Sequence, residues 1–153
     1  MCTSAEIAKY RGRISGPLAD RIDLHVSVSA VPVRQLGDAR EREKSANVRA
    51  RVELARAAQR ARYAKLPGDI WNGRIPGRWL DRHGELTSGA RELLSAVAER
   101  MRVSARSYHR ILRVARTIAD LDGERLIDAR HVAEAVRYRP QLQLGGPATT
   151  AAS

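Results

Sequence analysis

A single stretch of this chain alternates with the period of a β-strand. Ile22, Leu24, Val26 and Val28 fall on one side, and Asp23, His25 and Ser27 on the other. No second run pairs with it. A lone strand leaves its backbone donors and acceptors unsatisfied. The chain is therefore expected to be mainly α. Its one strand either belongs to a sheet completed by further chain or lies over the helices. The clean alternation fits a sheet edge or a face open to water rather than a central parallel strand. An unpartnered strand implies a piece of a larger fold.

The residues before the strand fix how the chain enters it. Ser15-Gly16-Pro17 makes a tight start, with Pro17 suited to a first helical position. One short turn runs to Arg21, and the strand follows, so Arg21 stands at a turn-to-strand junction. An arginine there is always charged and carries a planar fork of donors that matches phosphate. From spacing alone two readings stand: an ion pair with Asp20 or Asp23 on the surface, or a phosphate contact.

The rest reads as helices. Ser4–Arg13 is expected as a first one, capped by Ser4. After a linker holding Pro32 and Gly37, a long basic helix is expected from about Asp38 to Tyr63. Its apolar stripe, Val48, Val52, Ala55 and Ala58, is thin, as in a helix that bridges domains or lies on a partner. Arg49, Arg56 and Arg60 on it are candidate phosphate or DNA contacts. Residues 66–85 are loop-rich, with Trp71 and Trp79 expected to pin them to the helices. Thr87, Ser104 and Asp128 then cap three helices with apolar faces. Val103 and Tyr108 have the spacing of a hydrophobic staple. Residues 87–139 thus form a three-helix unit with short connections. The Gly/Pro/Thr/Ala tail after Pro140 is expected to be disordered.

Arg106 sits at the second position of the helix capped by Ser104. A cation gains nothing from the positive end of a helix dipole. A bound phosphate would reconcile the two, with helix start and guanidinium converging on one anion. The other reading is an arginine in water. Arg110 and Arg113 follow on the same helix as candidates for phosphate, loop or DNA contacts, and His109 is read as structural.

Two long runs, Arg13-Ile-Ser-Gly-Pro-Leu-Ala-Asp-Arg-Ile-Asp-Leu-His-Val26 and Ser104-Ala-Arg-Ser-Tyr-His-Arg-Ile-Leu-Arg-Val-Ala-Arg-Thr-Ile-Ala-Asp-Leu121, resemble magnesium chelatase-like AAA+ ATPases of the competence-type branch. The resemblance covers residues 2–139 and corresponds to the C-terminal third of such proteins. Only Ala19 departs from the family's Ser-Gly-Pro-Leu-Leu-Asp-Arg-Ile-Asp-Leu run. It implies that Arg21 is an arginine finger reaching a neighbour's ATP. It implies that Arg106 is the sensor-2 arginine, on ATP held by the same or an adjacent subunit. The implied layout is the end of the AAA+ core with the finger in 1–30, linker and long helix in 31–65, helical lid in 66–139 and tail in 140–153. ATP and Mg²⁺ would serve the complete protein, with none bound by this chain alone. The implied partners are the remaining AAA+ core, a homo-oligomeric, hexameric ring and, as a candidate, DNA. Cys2 matches the last step of a cysteine cluster in the family, as an orphan ligand or an unpaired thiol.

The absences narrow the activity. There is no Gly-x-x-x-x-Gly-Lys-(Ser/Thr) loop and no acidic pair after an apolar strand to hold Mg²⁺. No activity is expected from the chain by itself. The net charge of +11 favours polyanionic partners. With no Phe, the chain offers little stacking platform for single strands. No run approaches the ~20 apolar residues of a membrane span, and no signal peptide opens the sequence, so a cytoplasmic protein is expected. Two further readings stay open. One is a stand-alone basic helical module that binds DNA or an acidic protein without ATP. The other is a fragment of the regulatory ATPase subunit of a true magnesium chelatase.

Overall fold

The computed structural model describes residues 3–11, 13, 18, 21–26, 28 and 43–139. Six helices occur among them: α1 (Ser4–Arg11), α2 (Ser45–Tyr63), α3 (Gly77–His83), α4 (Ser88–Arg100), α5 (Ala105–Leu121) and α6 (Ala129–Arg137). The fold is mainly helical, as expected of a helical lid. The expected Gly16-Pro17 start, Asp20, Cys2, the linker and the tail lie outside the described residues.

Helix α5 is the axis of the fold, with α2, α3 and α6 packed on it and α4 packed on α6. Its sequence explains the position. Ile111, Leu112, Ala115, Ile118 and Ala119 form a wide apolar stripe, and all are buried. Leu94, Ile127, Val132 and Ala135 close the core from α4 and α6, while Ile75 and Leu80 close it from the loop and α3. The three expected caps form. Thr87 Oγ1 accepts from Ala90 N and Ser104 Oγ from Ser107 N, each at 3.2 Å. Asp128 accepts from Ala129 N at 2.7 Å, while His131 Nδ1 accepts from Asp128 N at 2.9 Å. Thr87 Oγ1 also donates to Asp128 Oδ1 at 3.1 Å, so the starts of α4 and α6 are tied together. Beside them Leu86 and Ile127 form an isolated parallel bridge.

Three local expectations are corrected. First, Ile22–Val28 forms no strand among its described residues. Among the described residues no sheet edge pairs with it, and Leu24, Val26 and Val28 stay exposed. Second, the cap of α1 is Thr3 rather than Ser4: Thr3 N donates to Glu6 Oε2 at 2.7 Å and Glu6 N donates back to Thr3 Oγ1. This reciprocal pair starts the helix, and it holds the Glu6 carboxyl below its ordinary value. The helix also ends at Arg11 rather than Arg13.

Third, α2 starts at Ser45, with Glu43 and Lys44 outside it, and the stripe it buries is Ala55, Gln59 and Tyr63. Val48, Val52 and Ala58 are exposed, so the outer half of α2 stands free of the bundle among the described residues. The loop after α2 is pinned to the helices by Trp79 and Trp71, as expected, and Asn72 fastens it further. Asn72 is buried and accepts from Tyr63 Oη at 2.6 Å. Its Nδ2 donates to Thr117 Oγ1 at 3.1 Å and Asp120 Oδ2 at 2.8 Å, and its backbone N donates to Gln59 Oε1 at 3.1 Å. Trp79 packs edge-on against Tyr63, at 5.2 Å between ring centroids. Trp71 is half-buried, with the Arg56 guanidinium 5.4 Å from its ring centroid.

Candidate functional site

Helix α5 has a second face. Arg106, His109, Arg110 and Arg113 recur at the i, i+3, i+4, i+7 spacing of one helical side, opposite the core stripe. These four side chains and Arg21 line a cavity of about 640 Å³. Arg21 reaches it from a turn in which its N–H donates to Leu18 O at 2.9 Å. The two arginines singled out in the sequence, 85 positions apart (106 − 21), therefore face the same space in one chain.

The lining residues differ in how they are held. Arg113 donates from Nε and Nη2 to the Ile75 carbonyl, at 3.0 and 2.8 Å. This commits most of its fork to the loop rather than to a ligand. Arg110 Nη1 donates to Asp23 at 2.6 Å, while its Nε is buried with no partner. His109 Nε2 lies 2.8 Å from Asp81 Oδ2 on α3. Because the carboxylate accepts, that nitrogen carries the proton. The ring is seated against Gly77, where a Cβ would overlap its Cγ. His109 is structural, as read from sequence, and it also lines the cavity.

Arg21 and Arg106 are exposed, and neither guanidinium has a hydrogen-bond or ion-pair partner among the described residues. Of the groups lining the cavity, two cations are thus uncommitted and two are braced. Guanidiniums brought together in this way repel one another unless an anion bridges them. Their donor forks suit phosphate oxygens.

Arg49, Arg56 and Arg60 do not join this cavity. They lie exposed along α2, and Arg56 sits over Trp71. No group of three metal-ligating side chains occurs among the described residues. No helix among them is long and apolar enough to cross a membrane.

Sequence reasoning missed the charged network beneath α2. Asp120 is buried and receives Arg62, Asn72 and the Nε of Arg116, the last at 3.1 Å. Arg116 is 1 % exposed and also donates to the Arg125 and Glu124 carbonyls. The signal was present: Arg116 and Asp120 fall at i and i+4 on the flank of the apolar stripe of α5. Burial disfavours the charged form of both guanidiniums. In Arg62 the bonds and charge of Asp120 outweigh it and hold the group above its ordinary value; in Arg116 burial wins and lowers it. Both stay cationic at neutral pH.

A mainly helical unit organised on one capped helix is consistent with the helical lid domain of an AAA+ protein. The family model "Magnesium chelatase, subunit ChlI C-terminal" matches residues 42–139, and "Magnesium chelatase, subunit ChlI" matches residues 1–36. The chain belongs to the magnesium chelatase ChlI C-terminal family. It is 37% identical over 140 residues to "Competence protein ComM" of Haemophilus influenzae, covering 91% of this chain and 26% of that protein. It is 35% identical over 139 residues to YifB of Salmonella typhimurium, covering 90% and 26%. The chain spans about a quarter of the length of the curated relatives it matches.

Proposed function

We propose that this chain supplies the lid and the phosphate-reading arginines of an ATP-hydrolysing ring. The observation that carries this reading is the shared cavity of Arg21 and Arg106. Two uncommitted guanidiniums facing one space serve one polyphosphate. Arg21 acts as the finger on a neighbour's ATP, and Arg106, facing the same cavity, reads that same nucleotide. Of the two placements left open for Arg106, this reading takes ATP held by an adjacent subunit. Arg110, braced by Asp23, adds positive potential, and Arg113 acts mainly through the Ile75 carbonyl. ATP and Mg²⁺ are bound by other parts of the ring, because this chain encodes no phosphate loop. The ring remodels DNA, a reading supported by the exposed arginines of α2.

The test grafts this chain in place of the matching quarter of that relative and follows ATP hydrolysis. Arg21→Ala is expected to lower turnover by about 10³–10⁵, the usual range for an arginine finger. Mixing Arg21→Ala subunits with subunits dead in their own phosphate loop is expected to restore part of it. Normal turnover in the Arg21→Ala graft would make Arg21 a surface residue and end the proposal.

The free outer half of α2 favours a second reading, a basic module that binds DNA without nucleotide. It predicts equal DNA affinity with and without ATP in the graft.

A further inference from the structure

Arg139 follows the last turn of α6 and is 2 % exposed. A guanidinium so deeply buried is costly unless its donors are satisfied. Here Nη1 donates to the Ile22 carbonyl at 2.8 Å and Nη2 to Ser107 Oγ at 2.9 Å. Ile22 is the residue after Arg21, and Ser107 is the residue after Arg106. One buried fork therefore grips the immediate neighbours of both uncommitted cavity arginines.

Two further contacts act in the same sense. His25 N donates to the Tyr138 carbonyl at 3.1 Å, and Arg110 holds Asp23. Packing contributes little to this docking. Ile22, Leu24 and Val26 are 38%, 52% and 67% exposed, so the segment lies on the bundle without an apolar face pressed into it. Its position is set by polar tethers, and Arg139 is the most buried of them. A rigid planar fork fixes two acceptors relative to each other in a way that a flexible ammonium does not.

We propose that Arg139 is a positioning residue that sets Arg21 against Arg106, so that both guanidiniums meet one polyphosphate. The proposal rests on the reading of the cavity as a phosphate site. Without Arg139 the bundle keeps its core, but the finger segment drifts and the arginines bind as separate charges.

The experiment uses the whole chain carrying Cys2→Ser, with nitroxide labels on Arg21→Cys and Arg106→Cys. Spin–spin distances are read by pulsed EPR, and helical content confirms folding. A narrow distance distribution is expected in the parent, a broad one in Arg139→Met, and a partly broadened one in Ser107→Ala, which removes one acceptor and leaves Arg139 in place. A narrow distribution in folded Arg139→Met overturns the proposal. If Arg139→Met does not fold, a narrow distribution in Ser107→Ala overturns it equally.

In the unlabelled chain, Arg139→Met is expected to weaken tripolyphosphate binding roughly tenfold, and to add nothing once Arg21→Ala is present, as coupled residues do. Full additivity counts against the proposal. If the label distances respond but the parent binds no tripolyphosphate, the phosphate reading of the cavity fails while the positioning of Arg21 by Arg139 stands.

Discussion

Arg62 and Asp120 meet fork to carboxylate across 58 positions of sequence, with Nη1 2.9 Å from Oδ2 and Nη2 on Oδ1. The pair fastens the last turn of α2 to the last turn of α5. It also shares its carboxylate with the fully buried Arg116. Removing the carboxylate strands a cation in the interior, which costs more than the pair itself contributes. Asp120→Ala is expected to destabilise the chain by about 3–5 kcal/mol. Arg62→Ala should cost less, because Arg62 is partly exposed and leaves Asp120 with Arg116. Urea denaturation of the two variants checks the order; equal losses would show that Arg116 gains nothing from Asp120.

Gly77 is required by the His109 ring rather than by its own backbone. A methyl group there would overlap the imidazole. Gly77→Ala is expected to cost about 1–3 kcal/mol, the usual range for overpacking, and to break the bond between His109 and Asp81. Imidazole NMR shifts that stay unchanged in Gly77→Ala would show that the start of α3 moves instead.

How much of this was legible in the sequence depended on whether the determinant was local. The caps at Thr87, Ser104 and Asp128 and the stripe of α5 follow from residues within a turn or two, and they form as read. The pattern at Ile22–Val28 has a real period of two, but a strand needs a partner, and no local pattern supplies one. Arg21 and Arg106 could be singled out by motif, yet their common cavity rests on tertiary contacts such as those of Arg139 with Ile22 and Ser107, which no local pattern marks. Asn72 was hidden in the same way, since its four hydrogen bonds come from Gln59, Tyr63, Thr117 and Asp120. Arg113 had phosphate-binding chemistry but was claimed by the carbonyl of Ile75, a contact set by tertiary packing.

The acid limb of stability should carry the mark of Asp128. Its carboxyl lies below its ordinary value, first because Ala129 N donates to it and second because the Thr87 hydroxyl does. A carboxylate depressed by folding contributes stability that is fully present above its unfolded value. That contribution is lost as pH falls through the lower folded value. Stability attributable to this cap should therefore decline below about pH 4. Asp128→Asn should shallow the decline in melting temperature between neutral and acid pH. An acid slope identical to that of the parent would assign the decline to other carboxylates.

Any DNA binding should be electrostatic and tolerant of sequence. Arg49, Arg56 and Arg60 are exposed on the free part of α2. Each phosphate neutralised on a duplex contributes about 0.9 to the slope of log K against log salt. Changing all three to alanine is expected to reduce that slope by about 2–3 and to leave tripolyphosphate binding at the cavity unaltered. A slope unchanged by the triple substitution would remove α2 as the DNA-facing surface.

Hydrogen exchange separates a docked segment from a strand. In a paired edge strand every second amide is bonded to a neighbouring strand, whereas here His25 N donates outside the segment to the Tyr138 carbonyl. His25 should exchange more slowly than Leu24 and Val26, which are exposed. All three should exchange far faster than Leu112 in the core of α5, because opening the segment breaks only a few tethers while opening α5 unfolds the bundle. In Ser107→Ala the amide of His25 should lose part of its protection while Leu112 keeps its own, since the weakened grip of Arg139 affects the segment and not the core. Protection at Leu24 and Val26 equal to that at Leu112 would mean that the segment is sheet-paired in solution, and the docking of Arg21 beside Arg106 would then need another cause.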